Sequence, residues 1–465
     1  MAAAPKTAPK RVYDVAVLGP DLGGAVAAAL AAKRGLRTLL APLAPVAVAR
    51  ESDGWLLPSA HPMISPLRQL SGAVGALDEL GLSADLQRLA ATAQGAFQIL
   101  GEKLRLSLPA DPARRRSELR RELTGHSAAE AEVALESLER LGRPWDAFLL
   151  EPPPWPPRGF FERRRIHKLV PVPPALPEGL IGECLAALAP FAAALVGDSA
   201  PEATAREAAA LLRAPLRLWG GLAQLADLLR KKAMEAGGDL VEGDAAELRL
   251  DRKGVTFLLG GSEVHASCVV LACGADRVAA LAQGGGRAER KMAEEAALPV
   301  SRKVTLAHYV LRAEGLPLAL EEAALLLGHT MGPLVISSLP ARRAKGDLQG
   351  ERLLTVARVS DAGFSDEPGL LASVRAALEP VLPFFDRHIV HQSADLNPPQ
   401  SHPILRPHDD AEPIGLRPLS DAHERVLFAS AATYPGFGLE GQILAARAAA
   451  DQALALSGRK SVSAV

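Results

Sequence analysis

Between Tyr13 and Ala41 the chain spells out one folding unit. Tyr13-Asp14-Val15-Ala16-Val17-Leu18 is a short apolar run that stops at Gly19, an Ala-rich stretch from Gly24 to Arg34 has helical character, and Arg37-Thr38-Leu39-Leu40-Ala41 is a second apolar run. Strand, glycine turn, helix and strand within about 30 residues read as a βαβ unit. Its glycine turn falls at the carboxyl end of the first strand, where such a unit holds the phosphates of a dinucleotide. The fully apolar run Cys268-Val269-Val270-Leu271-Ala272 reads as a further buried parallel strand.

The rest of the chain alternates in character. Residues 66–215 are mainly helical in pattern. The α/β pattern returns from Leu218, with strand candidates at Val255 to Leu259, Val304 to Leu311, Leu353 to Val359 and Val426 to Ala429, and a last helix from Gly438 to Leu456. The predicted partition is a dinucleotide-binding domain built from residues 12–66, 216–290 and 415–458, and a substrate or cap domain from 67–215 and 291–414. Residues 1–11 form a short lead and 459–465 a tail.

Charge and cysteine content narrow the function classes. Lys plus Arg number 52 against 53 for Asp plus Glu, a formal charge of -1, so no global attraction to nucleic acid is expected. The Arg114-Arg115-Arg116 run is interleaved with acids and reads as a solvated helix face. Cys184, Cys268 and Cys273 form no framework, and no His/Cys cluster suggests a metal. The N-terminus lacks the apolar core of a signal peptide, and no apolar run is long enough to span a bilayer, so a cytoplasmic protein is expected. The Pro-rich segment Glu151 to Pro177 reads as stiff and extended. Its Trp155, Phe160 and Phe161, beside Arg163-Arg164-Arg165, suit a surface loop, a peripheral membrane contact or a cover over an apolar ligand.

The string Thr433-Tyr434-Pro435-Gly436-Phe437-Gly438-Leu439-Glu440-Gly441 in front of an Ala-rich helix is the most specific motif. With the βαβ unit and the Trp219-Gly220-Gly221 block leading to Ala272-Cys273-Gly274, it makes the chain resemble the flavin-dependent amine oxidase superfamily, most closely the phytoene-desaturase-like flavoproteins. The resemblance implies an α/β fold in which a Rossmann-like FAD-binding domain is interleaved with a mixed α+β substrate domain. It implies FAD as cofactor, with Gly19, Gly23 and Gly24 in the phosphate turn and the backbone of Ala246 near the adenine. Gly436, Phe437 and Gly438 fall beside the flavin ring, and His61 near a turn below it.

Four anchors that the resemblance leads one to expect are replaced. Asp21 stands at the second glycine of the phosphate turn, and Pro42 where an acid would hold the ribose. Ala44 to Val48 lacks a glycine pair, and Ser430-Ala431 replaces a Gly-Asp pair. An aspartate at the second glycine brings bulk and negative charge to a site built for a dianion. Two readings therefore stand. The first is a protein of this fold, flavin-free or weakly flavin-binding, that takes an apolar lipid or isoprenoid ligand or a protein partner. The second is an active FAD-dependent desaturase, dehydrogenase or isomerase acting on an isoprenoid, carotenoid-like or amine substrate, for which no general base can be nominated. A nicotinamide cofactor faces the same phosphate problem at Asp21.

Overall fold

The computed structural model describes residues 11–43, 47–89, 97–169, 177–194, 201–345, 350–398, 403–405 and 415–458. The lead up to Lys10, the Ala44 to Val46 stretch of the absent glycine pair and the tail 459–465 lie outside them.

Seven strands form the first sheet, in the order Ala245–Asp251, Gly254–Leu259, Ser262–Leu271, Arg11–Leu18 (β1), Thr38–Ala41 (β2) and Asp239–Leu240, with Val426–Phe428 also paired to Ser262–Leu271. The centre is parallel, Leu18 lying level with both Leu271 and Ala41. Its strands come from three separated stretches of sequence. The helix Leu22–Lys33 (α1) is buried along almost its whole length and carries almost no polar face, so it must be covered on every side. Its alanines let the Gly221–Glu235 helix and the C-terminal helix Gly438–Ser457 pack close against it.

Eight strands form the second sheet, mostly antiparallel, in the order Ile389–Asp395, Val300–Leu311, Arg352–Asp361, Leu334–Pro340, Ala323–Leu326, Phe97–Gly101 and Leu104–Leu108, with Pro403–Leu405 added on Val300–Leu311. Alternation along Val300–Leu311 divides its two faces. Ala307, Tyr309 and Leu311 pack under the helix Glu367–Leu378, whereas Val304 and Leu306 face a helical cap that includes Gly125–Leu150, Gly179–Ala193 and Pro201–Arg213.

The Pro-rich segment departs from expectation in two ways. Phe160–Leu169 is a helix, begun after Gly159 at φ +92° and anchored by buried Ile166. Trp155 is only 3% exposed, so it offers nothing to a membrane. Its ring joins Trp145, Phe148 and Phe437 in one aromatic cluster, and its indole N–H donates to the Pro435 carbonyl at 2.9 Å. A buried indole needs such an acceptor, and the Pro/Gly turn supplies it. Phe160 and Phe161 are exposed beside the three arginines. All three cysteines are buried, and burial pushes each thiol up to about 12. Among the described residues no helix is long and apolar enough to cross a membrane, and no group of side chains is arranged to hold a metal.

Candidate functional site

The turn between β1 and α1 shows what its glycines are for. Gly19 sits at φ +133° and donates to the Ala41 carbonyl at 2.9 Å, and a Cβ added to it would lie only 2.0 Å from the Ala272 oxygen. A Cβ on Gly23 would strike the Ala429 oxygen at 2.2 Å, and one on Gly24 the Ala272 methyl at 2.5 Å. Each glycine is thus demanded by neighbouring protein. We expect Gly19→Ala to lose about 2–4 kcal/mol in denaturant unfolding of protein without added cofactor. Unchanged stability would show that the glycine serves only a ligand.

Asp21 caps α1. Its N–H donates to the Ala272 carbonyl and its own carbonyl accepts from Gly24, both at 3.0 Å, while its carboxylate Oδ2 accepts from the Ala431 N–H at 3.0 Å. Two positions at which the sequence departs from the expected anchors therefore meet, across 410 residues of chain. A second amide of the helix start, that of Gly23, faces the Gln442 side-chain oxygen at 3.4 Å. Asp21 is half-buried by surface yet deeply enclosed by protein. That enclosure raises its carboxyl to about 7, the Ala431 hydrogen bond opposing the rise. It lies in a cleft of about 280 Å³ with Cys273, Gly274, Ser430 and Ala431. The cation on its rim, Lys303, donates to Asn397 Oδ1 at 2.9 Å.

At the end of β2, Pro42 is buried and the next residue, Leu43, has φ +61°. The Leu43 carbonyl accepts from Arg277 Nη2 at 2.8 Å, and the same nitrogen pairs with Asp244 Oδ1 at 2.6 Å. A surface ion pair thus lies beside the residue that follows Pro42, where a ribose-binding acid was expected. Ala246 is exposed on the outer strand of the sheet, opposite Leu258 and three strands from β1, and is not part of the cleft wall.

The third station is the turn before the C-terminal helix. Ser430 closes on Thr433, its N–H donating to Thr433 Oγ1 at 3.1 Å and its carbonyl accepting from the Thr433 amide at 3.0 Å. Gly436 has φ +90°, Phe437 is fully buried in the aromatic cluster, and Gly438 has φ +44°. A Cβ on Gly438 would lie 1.8 Å from the Ala192 carbonyl, near the end of the Gly179–Ala193 helix. The carbonyl end of one helix thus meets the amino end of another, a favourable pairing of dipoles.

Next to this contact lies an apolar chamber of about 80 Å³, walled by Phe191, Leu211, Val304, Leu306, Val335 and Leu439, with His61 and Ser65 as its polar members. Burial lowers His61 to about 4, so the ring is neutral at pH 7. A cluster that sequence reasoning missed lies behind it. Glu440, in the first turn of the C-terminal helix, accepts from the Gly72 amide and from Arg206 Nη1, both at 2.5 Å, while Arg206 also holds Glu207 at 2.8 Å and Asp146 at 3.0 Å. The acid within the Gly-Leu-Glu-Gly string and the Arg-Glu pair inside an Ala-rich helix were the available signals. Arg277 and Asp244 gave none.

No protein-family model matches the chain, and no curated protein matches it by sequence. Solved structures match it over nearly its full length. Putrescine oxidase bound to putrescine is 15% identical with a TM-score of 0.59, covering 95% of this chain and 99% of that chain. An oxidoreductase from Methanosarcina mazei is 13% identical with a TM-score of 0.59, covering 94% and 99%. A geranylgeranyl bacteriochlorophyll reductase-like protein from Thermoplasma acidophilum is 14% identical with a TM-score of 0.50, covering 97% and 80%. Identities this low speak to architecture. The chain shares the α/β fold of these structures, a Rossmann-like parallel sheet joined to a mostly antiparallel sheet under a helical cap.

Proposed function

We propose that this chain uses the flavoprotein fold without the flavin, as a binding protein for a small apolar molecule held between the second sheet and the helical cap. One observation carries this reading: the Asp21 carboxylate, at the start of α1, accepts from the Ala431 amide. The protein has supplied its own anion at the position that the fold offers to a pyrophosphate. A dianion set a few ångström from an ionised Asp21 meets a repulsion of about 4 kcal/mol at an effective dielectric near 20, felt in full only above about pH 7, where the carboxyl has lost its proton. Breaking the Ala431 bond to make room adds about 1–3 kcal/mol.

The other two stations agree. The Arg277–Asp244 pair lies beside the ribose end, and the Ala192 carbonyl stands over the helix start where the resemblance places the flavin ring. The residues present do not fit FAD. What is left is the chamber beside His61, about half the volume of an engineered cavity that takes up benzene. It suits a short molecule or one end of a longer one, and its walls are chiefly apolar.

A restored site tests the reading. The triple variant Asp21→Gly, Pro42→Glu, Ala431→Asp removes the internal anion and returns an acid to each family position. In a titration followed by flavin fluorescence, we expect no saturable FAD binding by the unmodified chain and a gain of about tenfold or more in the variant, equivalent to roughly 1.4 kcal/mol. Equal, tight binding by both proteins would overturn the proposal and favour the oxidoreductase reading.

A further inference from the structure

Beside the chamber, and sharing His61 with it, lies a row of buried polar side chains whose hydrogen-bonding capacity is partly unmet. Val304, Leu306, His308 and Val310 share one face of their strand, so His308 follows the chamber wall at Leu306 by one side-chain step, about 7 Å. Strand register places Ser393, His308, Thr355 and Ser337 side by side across four strands on that face. All four are buried. Arg50 reaches the row from the strand Ala49–Ser52, its Nη2 donating to Ser393 Oγ and to the Ala394 carbonyl, both at 2.8 Å. His61 joins it from the chamber side. Arg50, His61 and His391 all bear electrostatically on His308, which burial and these neighbours keep neutral.

Five buried polar atoms here have no hydrogen-bond partner: Arg50 Nε, His61 Nε2, His308 Nε2, Ser337 Oγ and His391 Nε2. Such a concentration in one place calls for an occupant. Its chemistry can be read from the donors. Met63 donates its amide to His61 Nδ1 at 3.3 Å, so the proton of the neutral ring is on Nε2; the Thr355 and Val335 backbones lie near enough to favour that proton but neither meets hydrogen-bond geometry, and the atom can still offer a hydrogen bond. Arg50 Nε–H and the Ser337 hydroxyl offer two more. Arg50 brings a positive charge. The carboxylate on this side, Asp53, is 86% exposed and lies 3.4 Å from His391 Nδ1.

Donors, a cation and an adjoining short apolar chamber fit an acceptor-only anion with a short tail. We propose that the row formed by Arg50, His61, His308 and Ser337 binds the carboxylate of a short-chain aliphatic carboxylic acid whose tail occupies the chamber beside Leu306 and Val335. This deepens the ligand-binding reading above and rests on it.

Titration calorimetry on the full chain at neutral pH, with sodium pentanoate, pentan-1-ol and pentylammonium as probes, tests it. Pentanoate should bind saturably, pentan-1-ol about tenfold or more weakly, as expected for the loss of charge-assisted bonds, and pentylammonium not at all. His61→Phe keeps a ring but removes the donor, and should lose about tenfold in pentanoate affinity, with His61→Gln restoring part of it. Ser337→Ala removes a hydroxyl that nothing in the fold uses, so it should fold normally and bind pentanoate several-fold more weakly. Equal affinity for pentanoate and pentan-1-ol, or pentanoate affinity untouched in Ser337→Ala and His61→Phe, would overturn the assignment. A protein that purifies with FAD would instead sink the flavin-free reading on which it stands. A colourless protein indifferent to pentanoate would sink only the carboxylate site.

Discussion

Arg206→Ala is expected to destabilise the protein by about 3–5 kcal/mol in urea unfolding at neutral pH. Arg206 is almost wholly buried and touches Glu440, Glu207 and Asp146, which come from three different helices counting its own. Removing it leaves two fully buried glutamates without a cation, and their mutual repulsion has already raised Glu207 well above the usual carboxylate range, after burial itself. The cluster fastens the first turn of the C-terminal helix to the cap, because Glu440 also receives the Gly72 amide. Since the unpaired acids escape their penalty by taking up protons, the loss should shrink as pH falls through the raised range in which Glu207 titrates. A loss under about 1 kcal/mol would mean that the cluster is not a fastening at all.

Asp21→Asn is expected to act in the opposite direction. The folded carboxyl titrates at about 7 against an ordinary 3.8, so the native state keeps a proton that the unfolded chain releases between those values. Its contribution is therefore most favourable at or below about pH 4, declines as pH rises towards 7, and is constant above that. The shift corresponds to about 4 kcal/mol, of which the amino end of α1 offsets up to about 2. Asparagine keeps an acceptor for the Ala431 amide without the buried charge. The variant should match the parent near pH 4 and exceed its stability by about 2–4 kcal/mol above pH 7. Parallel stability curves across that range would show that Asp21 titrates normally. The same titration bears on ligands: a protonated Asp21 no longer repels phosphate, so any residual affinity for FAD should rise below pH 7.

The architecture is legible in the sequence because it rests on long, repeated signals. The apolar run before Gly19, the Ala-rich helix and the Thr-Tyr-Pro-Gly string each restrict backbone conformation locally, and the structure packs them into one apolar core. The four replaced anchors can also be read position by position. Their mutual compensation cannot. Asp21 and Ala431 are 410 residues apart, and only the parallel pairing of Val426–Phe428 with Ser262–Leu271, itself next to β1, brings them within a hydrogen bond. By sequence Asp21 is a charge aimed at a phosphate, whereas the fold gives it an amide of its own. Trp155 misleads for a related reason: a run of prolines fixes backbone stiffness but not which way an indole turns, and the acceptor that draws it inward belongs to Pro435. Glu440 sits inside the most specific motif and passes for part of a turn, because its partners come from helices whose packing no local pattern announces.

The flavin content of the purified chain tests most directly whether the protein has replaced its cofactor contacts with internal ones. Such a replacement predicts a colourless protein whose thermal unfolding is unmoved by added FAD. A flavin absorption band that survives purification, or a stabilisation approaching the roughly 2.7 kcal/mol that a ligand gives at one hundred times its Kd, would contradict it.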